Sequence, residues 1–194
     1  MPRPREFDET TVLDAALAVF WAKGFDATSI DDLVAATGLG RASLYGAFGD
    51  KERFFARVVD HYLEKTAALD RVDEDRPPRE ALVELTNRWL TAACAEGPGG
   101  CFLQQSCMVA SSAQVVTGLV ERIGRAREDL LARIITRGQK SGDLPAVARP
   151  IDLARFLLIV QQGIAVAARA GASKRELAVT LRLARDRVLG DRAR

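Results

Sequence analysis

Residues 28–51 read TSIDDLVAATGLGRASLYGAFGDK. This stretch predicts two short helices about a tight glycine turn, with a third, amphipathic helix beginning at Lys51, the shape of a helix-turn-helix DNA reader. Thr28 stands ahead of the apolar Ile30, Leu33 and Val34, with Asp31 three residues on, which predicts a capping box at the first helix start. Gly38 closes that helix, because glycine adopts the left-handed C′ conformation without steric penalty. Arg41–Ala47 has room for about two turns, and Leu44 and Phe48, four apart, supply its buried stripe. Asp50 is the expected N-cap of the helix that follows.

So short a second helix buries little, so Arg41, Ala42, Ser43, Tyr45 and Gly46 are expected to face outward. In a helix-turn-helix the N-terminal residues of that helix enter the major groove. Arg41 and Ser43 suit base edges or phosphates, and Ala42 a close approach or a thymine methyl. Tyr45 and Lys51 suit the backbone, which positions the domain but carries no sequence information. An ordinary helical hairpin in a bundle has the same spacing, and spacing alone leaves both readings open.

Phe20–Phe55 as a whole resembles the DNA-binding domain of the TetR family of bacterial transcriptional regulators. The matching residues are Phe20, Gly24 and Phe25, Thr28-Ser29-Ile30, Gly38, Ser43-Leu44-Tyr45, Phe48 and Lys51-Glu52. The resemblance implies that Thr28, Tyr45 and Lys51 hold phosphates and that Arg41–Ser43 open the recognition helix. Gly40 departs from the pattern, standing where Ser or Thr often caps that helix, and Gly46-Ala47 replaces a pair often built from His, Asn or an aromatic residue.

Charge gives this reading no support. Residues 1–55 carry six basic and nine acidic side chains, although the 194-residue chain is +2 overall. Few phosphate contacts mean weak non-specific binding, so tight binding is expected only at a specific site and only by a dimer. Arg3 and Arg5 form a short basic arm. Three cysteines without a Cys-x-x-Cys pair argue against a disulfide scaffold or structural zinc. The start of the chain has no apolar run of a signal peptide. The most apolar stretch, Leu157–Ala168, is broken by Gln161-Gln162 and reads as too short to span a bilayer. The expectation is a cytoplasmic protein without membrane contact.

The fold class read from the pattern is all-α: a DNA-binding domain over residues 1–55 and a larger effector-binding and dimerisation domain over 56–194. Helices are predicted at Lys51–Leu69, Arg79–Ala95, Cys101–Ala110, Ala113–Ser141, Ile151–Ala170 and Lys174–Leu189, separated by Gly- and Pro-rich breakers. Leu153, Phe156, Leu157, Val160, Ile164 and Ala167 form one stripe, while Leu158, Ile159, Ala165 and Val166 carry apolar surface further round. Leu177, Leu181, Ala184 and Val188 make a stripe on the last helix. A helix apolar nearly all round needs more cover than one neighbour gives; a monomer core and a homodimer both provide it. The resemblance implies the homodimer, through the last two long helices, on a palindromic double-stranded DNA operator.

It also implies a small-molecule effector pocket among the middle helices. Candidate lining residues are Tyr62, Trp89, Cys94, Phe102, Gln105, Met108 and Phe156, each of which core packing would equally explain. Cys101 follows Gly97-Pro98-Gly99-Gly100 at a predicted helix start, where free amides favour a thiolate. With Cys107 it is a candidate sensor of oxidants or electrophiles, or else a small buried hydrophobe. His61, the single histidine, is expected to be solvated or at the edge of the core, and neither a metal site nor a cofactor is expected. The chain has no Gly-x-x-x-x-Gly-Lys-Ser/Thr loop, no His-Glu-x-x-His and no Gly-x-Ser-x-Gly, so no enzyme is indicated. The competing class is a helical ligand-binding or scaffolding protein without specific DNA binding.

Overall fold

The chain is described here by a computed structural model over residues 7–95, 99–103, 105 and 114–190. Among these residues every regular element is helical: α1 (Glu9–Lys23), α2 (Ile30–Thr37), α3 (Arg41–Phe48), α4 (Lys51–Thr66), a 3-10 turn at Ala67–Asp70, α5 (Pro78–Ala93), α6 (Gln114–Ser141), α7 (Pro150–Arg169) and α8 (Lys174–Leu189). Of the expected helix at Cys101–Ala110, Phe102, Leu103 and Gln105 are helical, Cys101 is described but not helical, and the other residues lie outside the described ones.

Two compact units result. One holds α1–α4, up to Ala67, with the start of α6 up to Val120; the other holds the rest. In the first, α1 packs on α2 and α4, and α3 on both of its neighbours. Its centre is aromatic. Phe20 meets Phe55 edge-on at 4.9 Å and Phe54 at 6.4 Å, while Phe48 stacks on Phe54 at 4.3 Å. Phe20, Phe54 and Phe55 are almost wholly buried, and burial of such rings dominates the stability of a small helical unit.

His61 belongs to this unit and is buried, not solvated. Its Nε2 lies 2.7 Å from Asp14 Oδ1, the same oxygen that accepts from Lys65 Nζ at 2.7 Å. A carboxylate can only accept, so His61 carries its proton on Nε2. The histidine therefore ties α4 to α1.

In the second unit α5 packs against α7 and α8, which also pack on each other. Leu82, Leu85, Trp89, Leu131, Ile135, Leu157 and Val188 form the larger core cluster. α7 runs 20 residues at a mean hydropathy of 1.5, long and apolar enough to cross a membrane by length and composition. The length argument made from its sequence is thus corrected: the helix extends beyond Leu157–Ala168. It is cover that marks α7 as a packed helix, with Leu153, Ala154, Leu157, Leu158, Ile164 and Ala165 buried. Phe156, expected on the buried stripe, is instead 40% exposed.

Candidate nucleic-acid interface

α3 is anchored by Leu44 and Phe48, both buried, and this fixes the phase of everything else on it. Arg41, Ala42, Ser43, Tyr45 and Gly46 are all exposed and share the remaining surface. Gly38 closes α2 at φ 71°, with its amide donating to the Val34 carbonyl. Gly40 stands at the N-cap of α3 with no side-chain hydrogen bond there. The opening amides of α3 are therefore left to solvent or to a ligand.

Arg41 is not idle on that surface. Its guanidinium pairs with the carboxylate of Asp31 on α2, and both side chains are exposed. Asp31, expected in the cap, takes no part in it. The cap of α2 is Ser29, one residue later than expected, with Asp32 as its reciprocal partner: Asp32 N–H donates to Ser29 Oγ at 3.1 Å and Ser29 N–H to Asp32 Oδ2 at 2.9 Å. Hydrogen bonds from Lys23 and then from Ser29 hold the Asp32 carboxyl down at a pKa of about 2.

Thr28 is free for a different bond because it does not cap. It is buried, and its hydroxyl donates to the Gly24 carbonyl at 2.6 Å. Lys51 sits above the Phe25 ring, 4.5 Å from its centroid, and donates to the carbonyls of Phe25 and Thr28, both at 3.0 Å. Thr28 and Lys51 are thus joined to each other, closing the entry to α2 against the start of α4. Asp50 caps α4 as expected, accepting from the Arg53 amide at 2.8 Å.

Residues 12–58 match the family profile described as "Bacterial regulatory proteins, tetR family". Over 191 residues the chain is 33% identical to the HTH-type transcriptional repressor ComR of Escherichia coli (strain K12), covering 93% of this chain and 90% of that protein. The chain belongs to the TetR family. It is also 30% identical to the HTH-type transcriptional repressor BdcR of the same organism, over 94% of this chain and 89% of the relative. A cysteine mutant of the TetR family regulator CifR, complexed with 26-base-pair double-strand operator DNA, matches it with a TM-score of 0.86 at 28% identity, covering 94% of this chain and 98% of that one. The protein is accordingly an all-α, DNA-binding transcriptional regulator, of a family in which dimerisation is typical.

The described effector candidates fall in both units. Tyr62 lies in the first unit, edge-on to Trp21 at 5.6 Å, and half-buried Gln105 is grouped with that unit as well. Trp89 is buried in the second, its Nε1 donating to Asp70 Oδ1 at 2.8 Å. Asp70 Oδ2 also accepts from Arg127 Nε at 2.9 Å, so the indole is held by a salt-bridged acid. Phe102 is fully buried and Phe156 is exposed. Met108 and Cys107 lie outside the described residues. Cys94 and Cys101 are half-buried thiols against the cluster of Leu90, Ile164 and Leu181.

Sequence reasoning missed Asp31 as the partner of Arg41. Its position at the exposed start of α2, opposite the start of α3 across a three-residue turn, was the available signal.

Proposed function

We propose that this TetR-family protein is an effector-released repressor of a palindromic operator, bound by a homodimer. The observation that carries this reading is the exposed row Arg41, Ala42, Ser43, Tyr45 and Gly46 on a helix whose other face is locked by Leu44 and Phe48. Arg41 and Ser43 address base edges, Ala42 and Gly46 permit close approach, and Tyr45 holds a phosphate. Thr28 and Lys51 support the row from behind; the third ammonium hydrogen of Lys51 remains to reach a phosphate. Residues 1–55 carry this work, and residues 56–194 carry the effector and the dimer contact. The names of ComR and BdcR as repressors, and the operator in the CifR complex, support the sign of regulation.

Dimerisation uses α7 and α8. Phe156, Ile159 and Val166 on α7 and Val179 and Leu183 on α8 leave large apolar side chains in solvent, at the spacing of one helix face each. Such a surface on a single chain marks an interaction site. The effector, a small molecule or a thiol-reactive compound acting at Cys101 or Cys107, favours the dimer whose readers no longer match successive grooves. It does so only through differential affinity for the two states. No catalytic step enters this cycle, and the place of action is the cytoplasm.

The test is fluorescence anisotropy of the reduced protein on DNA from upstream of its own gene, against random duplex at equal salt. Saturable binding confined to the upstream DNA is expected. Equal affinity for both duplexes, here and across a panel of further promoter fragments, overturns the reading in favour of a helical protein without specific DNA binding.

A further inference from the structure

Residues 1–55 carry six basic side chains, of which Arg3 and Arg5 lie outside the described residues. Three of the other four are already committed within the domain. Lys23 Nζ donates to Asp32 Oδ1 at 2.6 Å, Arg41 pairs with Asp31, and Lys51 donates to two carbonyls. Arg53 is the fourth. Its ion pair among the described residues is a loose one with Asp50, where Nε stays 3.8 Å from Oδ2, beyond hydrogen-bonding distance. The other oxygen of Asp50 is spent on the cap of α4, accepting from the Arg53 amide at 2.8 Å.

The head of Arg53 is uncommitted, but its stem is held. It runs across Gly49, where a Cβ would stand only 2.9 Å from Arg53 Cδ. Gly49 closes α3 at φ 79°, and its amide donates to the Tyr45 carbonyl at 2.9 Å. A side chain at Gly49 would push the stem aside, so the glycine keeps the guanidinium over the corner between α3 and α4. There the Arg53 side chain is 79% exposed. The neighbouring charges leave it in that position: Glu52, exposed to water, points roughly 100° round α4 from it, and Arg57, one turn on, is held by Glu9 at 2.8 Å.

We propose that Arg53 grips a phosphate of the DNA backbone at the edge of the groove that α3 enters, a step that rests on α3 being the reading helix. The major groove is about 12 Å wide, and a helix with its side chains is about 10–12 Å across. A helix seated there is bounded by phosphates, and Arg53 stands at its C-terminal corner. Arg41 and Lys51 must give up or share a partner to meet DNA. Arg53 gives up only an exposed, loose pair, and such pairs contribute little to stability. What it gains is a charge-assisted hydrogen bond, which a guanidinium can make bidentate to phosphate. A phosphate contact carries no sequence information, so Arg53 adds affinity to every duplex alike.

The test is salt-dependent fluorescence anisotropy of the full-length protein on two duplexes. One is DNA from upstream of its own gene; the other is a random duplex of equal length, measured at low salt. Arg53→Gln should make the slope of log affinity against log salt shallower by about one on both. It should weaken both by the same factor, leaving their ratio and the circular dichroism melt unchanged. Arg53→Lys, which keeps the charge, should restore the slope. Arg57→Gln removes the same charge one turn away and should keep the parental slope. A parental slope in Arg53→Gln overturns the proposal. An equal change in Arg57→Gln also overturns it, by making the effect one of net charge, and a loss confined to the upstream DNA does so by making Arg53 a base reader. A parent that prefers neither duplex counts against the operator reading alone, because the slope on random DNA still decides Arg53.

Discussion

Arg41 pairs with Asp31 in the structure, and the function proposed above also assigns it to DNA. The Asp31 carboxylate is exposed, so its pairing with Arg41 adds little to stability, yet it must be given up before Arg41 meets a phosphate or a guanine. Asp31→Asn should therefore raise operator affinity severalfold. If Arg41 then takes a phosphate, the slope of log affinity against log salt steepens by about one. An unchanged affinity in salt-dependent anisotropy means that Arg41 stays away from DNA. The exposed row on α3 was legible in the sequence, since two apolar residues four apart fix the phase of so short a helix. The roles of Thr28 and Lys51 were less legible. Adjacent Thr28 and Ser29 are both good caps, and only the bond from Thr28 to the Gly24 carbonyl decides between them. Thr28 and Lys51 are also each other's partners. Lys51→Ala is expected to cost about 1–3 kcal/mol in urea unfolding, by stranding two carbonyls, and any loss of operator binding in that variant must be read against this figure.

The elements of the first unit hold together unevenly. α3 is the weakest: its cap is a bare glycine, and Gly46 sits inside it with nothing within 4 Å of where a Cβ would stand. Gly46→Ala should stabilise the helix by about 1 kcal/mol in urea unfolding. A simultaneous fall in operator affinity would show that DNA occupies that space. α1 and α4 are tied more firmly, by Asp14 between Lys65 and His61. Hydrogen bonds from Lys65 first and His61 second hold the Asp14 carboxyl below its ordinary 3.8. The unfolded chain therefore takes up the proton first as the pH falls. The stabilisation is complete above the unfolded value and is lost as the pH drops through the lower folded one. Asp14→Asn should melt lower than the parent at about pH 6, and the two midpoints should draw together as the pH falls below 3.8. Parallel midpoints across that range would show that the tie contributes nothing to stability. Helical periodicity marked α1 and α4 as neighbours of some kind, but not this tie, because residues 14 and 61 meet only through the packing of two helices.

At the scale of the whole molecule, the all-helical architecture was legible because breakers and 3.6-residue periodicity agree along the chain. The concavity on α5, lined in part by Arg76, Glu84 and Arg88, was not: a groove is whatever the packed helices leave uncovered, and those residues look in sequence like an ordinary solvated face. α7 was ambiguous for the opposite reason. A helix apolar nearly all round has no phase of its own, so its partners decide that Leu157 goes in and Phe156 stays out. The uncovered residues now give the dimer hypothesis a sharp form. Ile159 is 66% and Leu183 62% exposed, so a charge at either position costs the single chain almost nothing. Across a two-fold interface the same charge meets its own copy in an apolar contact. Ile159→Glu combined with Leu183→Glu should therefore keep its helical content and sediment as a monomer. A palindrome read by two linked modules gains roughly 10²–10⁴ in affinity from the linkage, so the variant should bind the full operator at least about a hundredfold more weakly. Its binding to a half-site should be unchanged, because α3 is untouched. A double variant that remains dimeric would move the interface elsewhere on the second unit; one that is monomeric and still binds the full operator at parental affinity would remove the need for a dimer altogether.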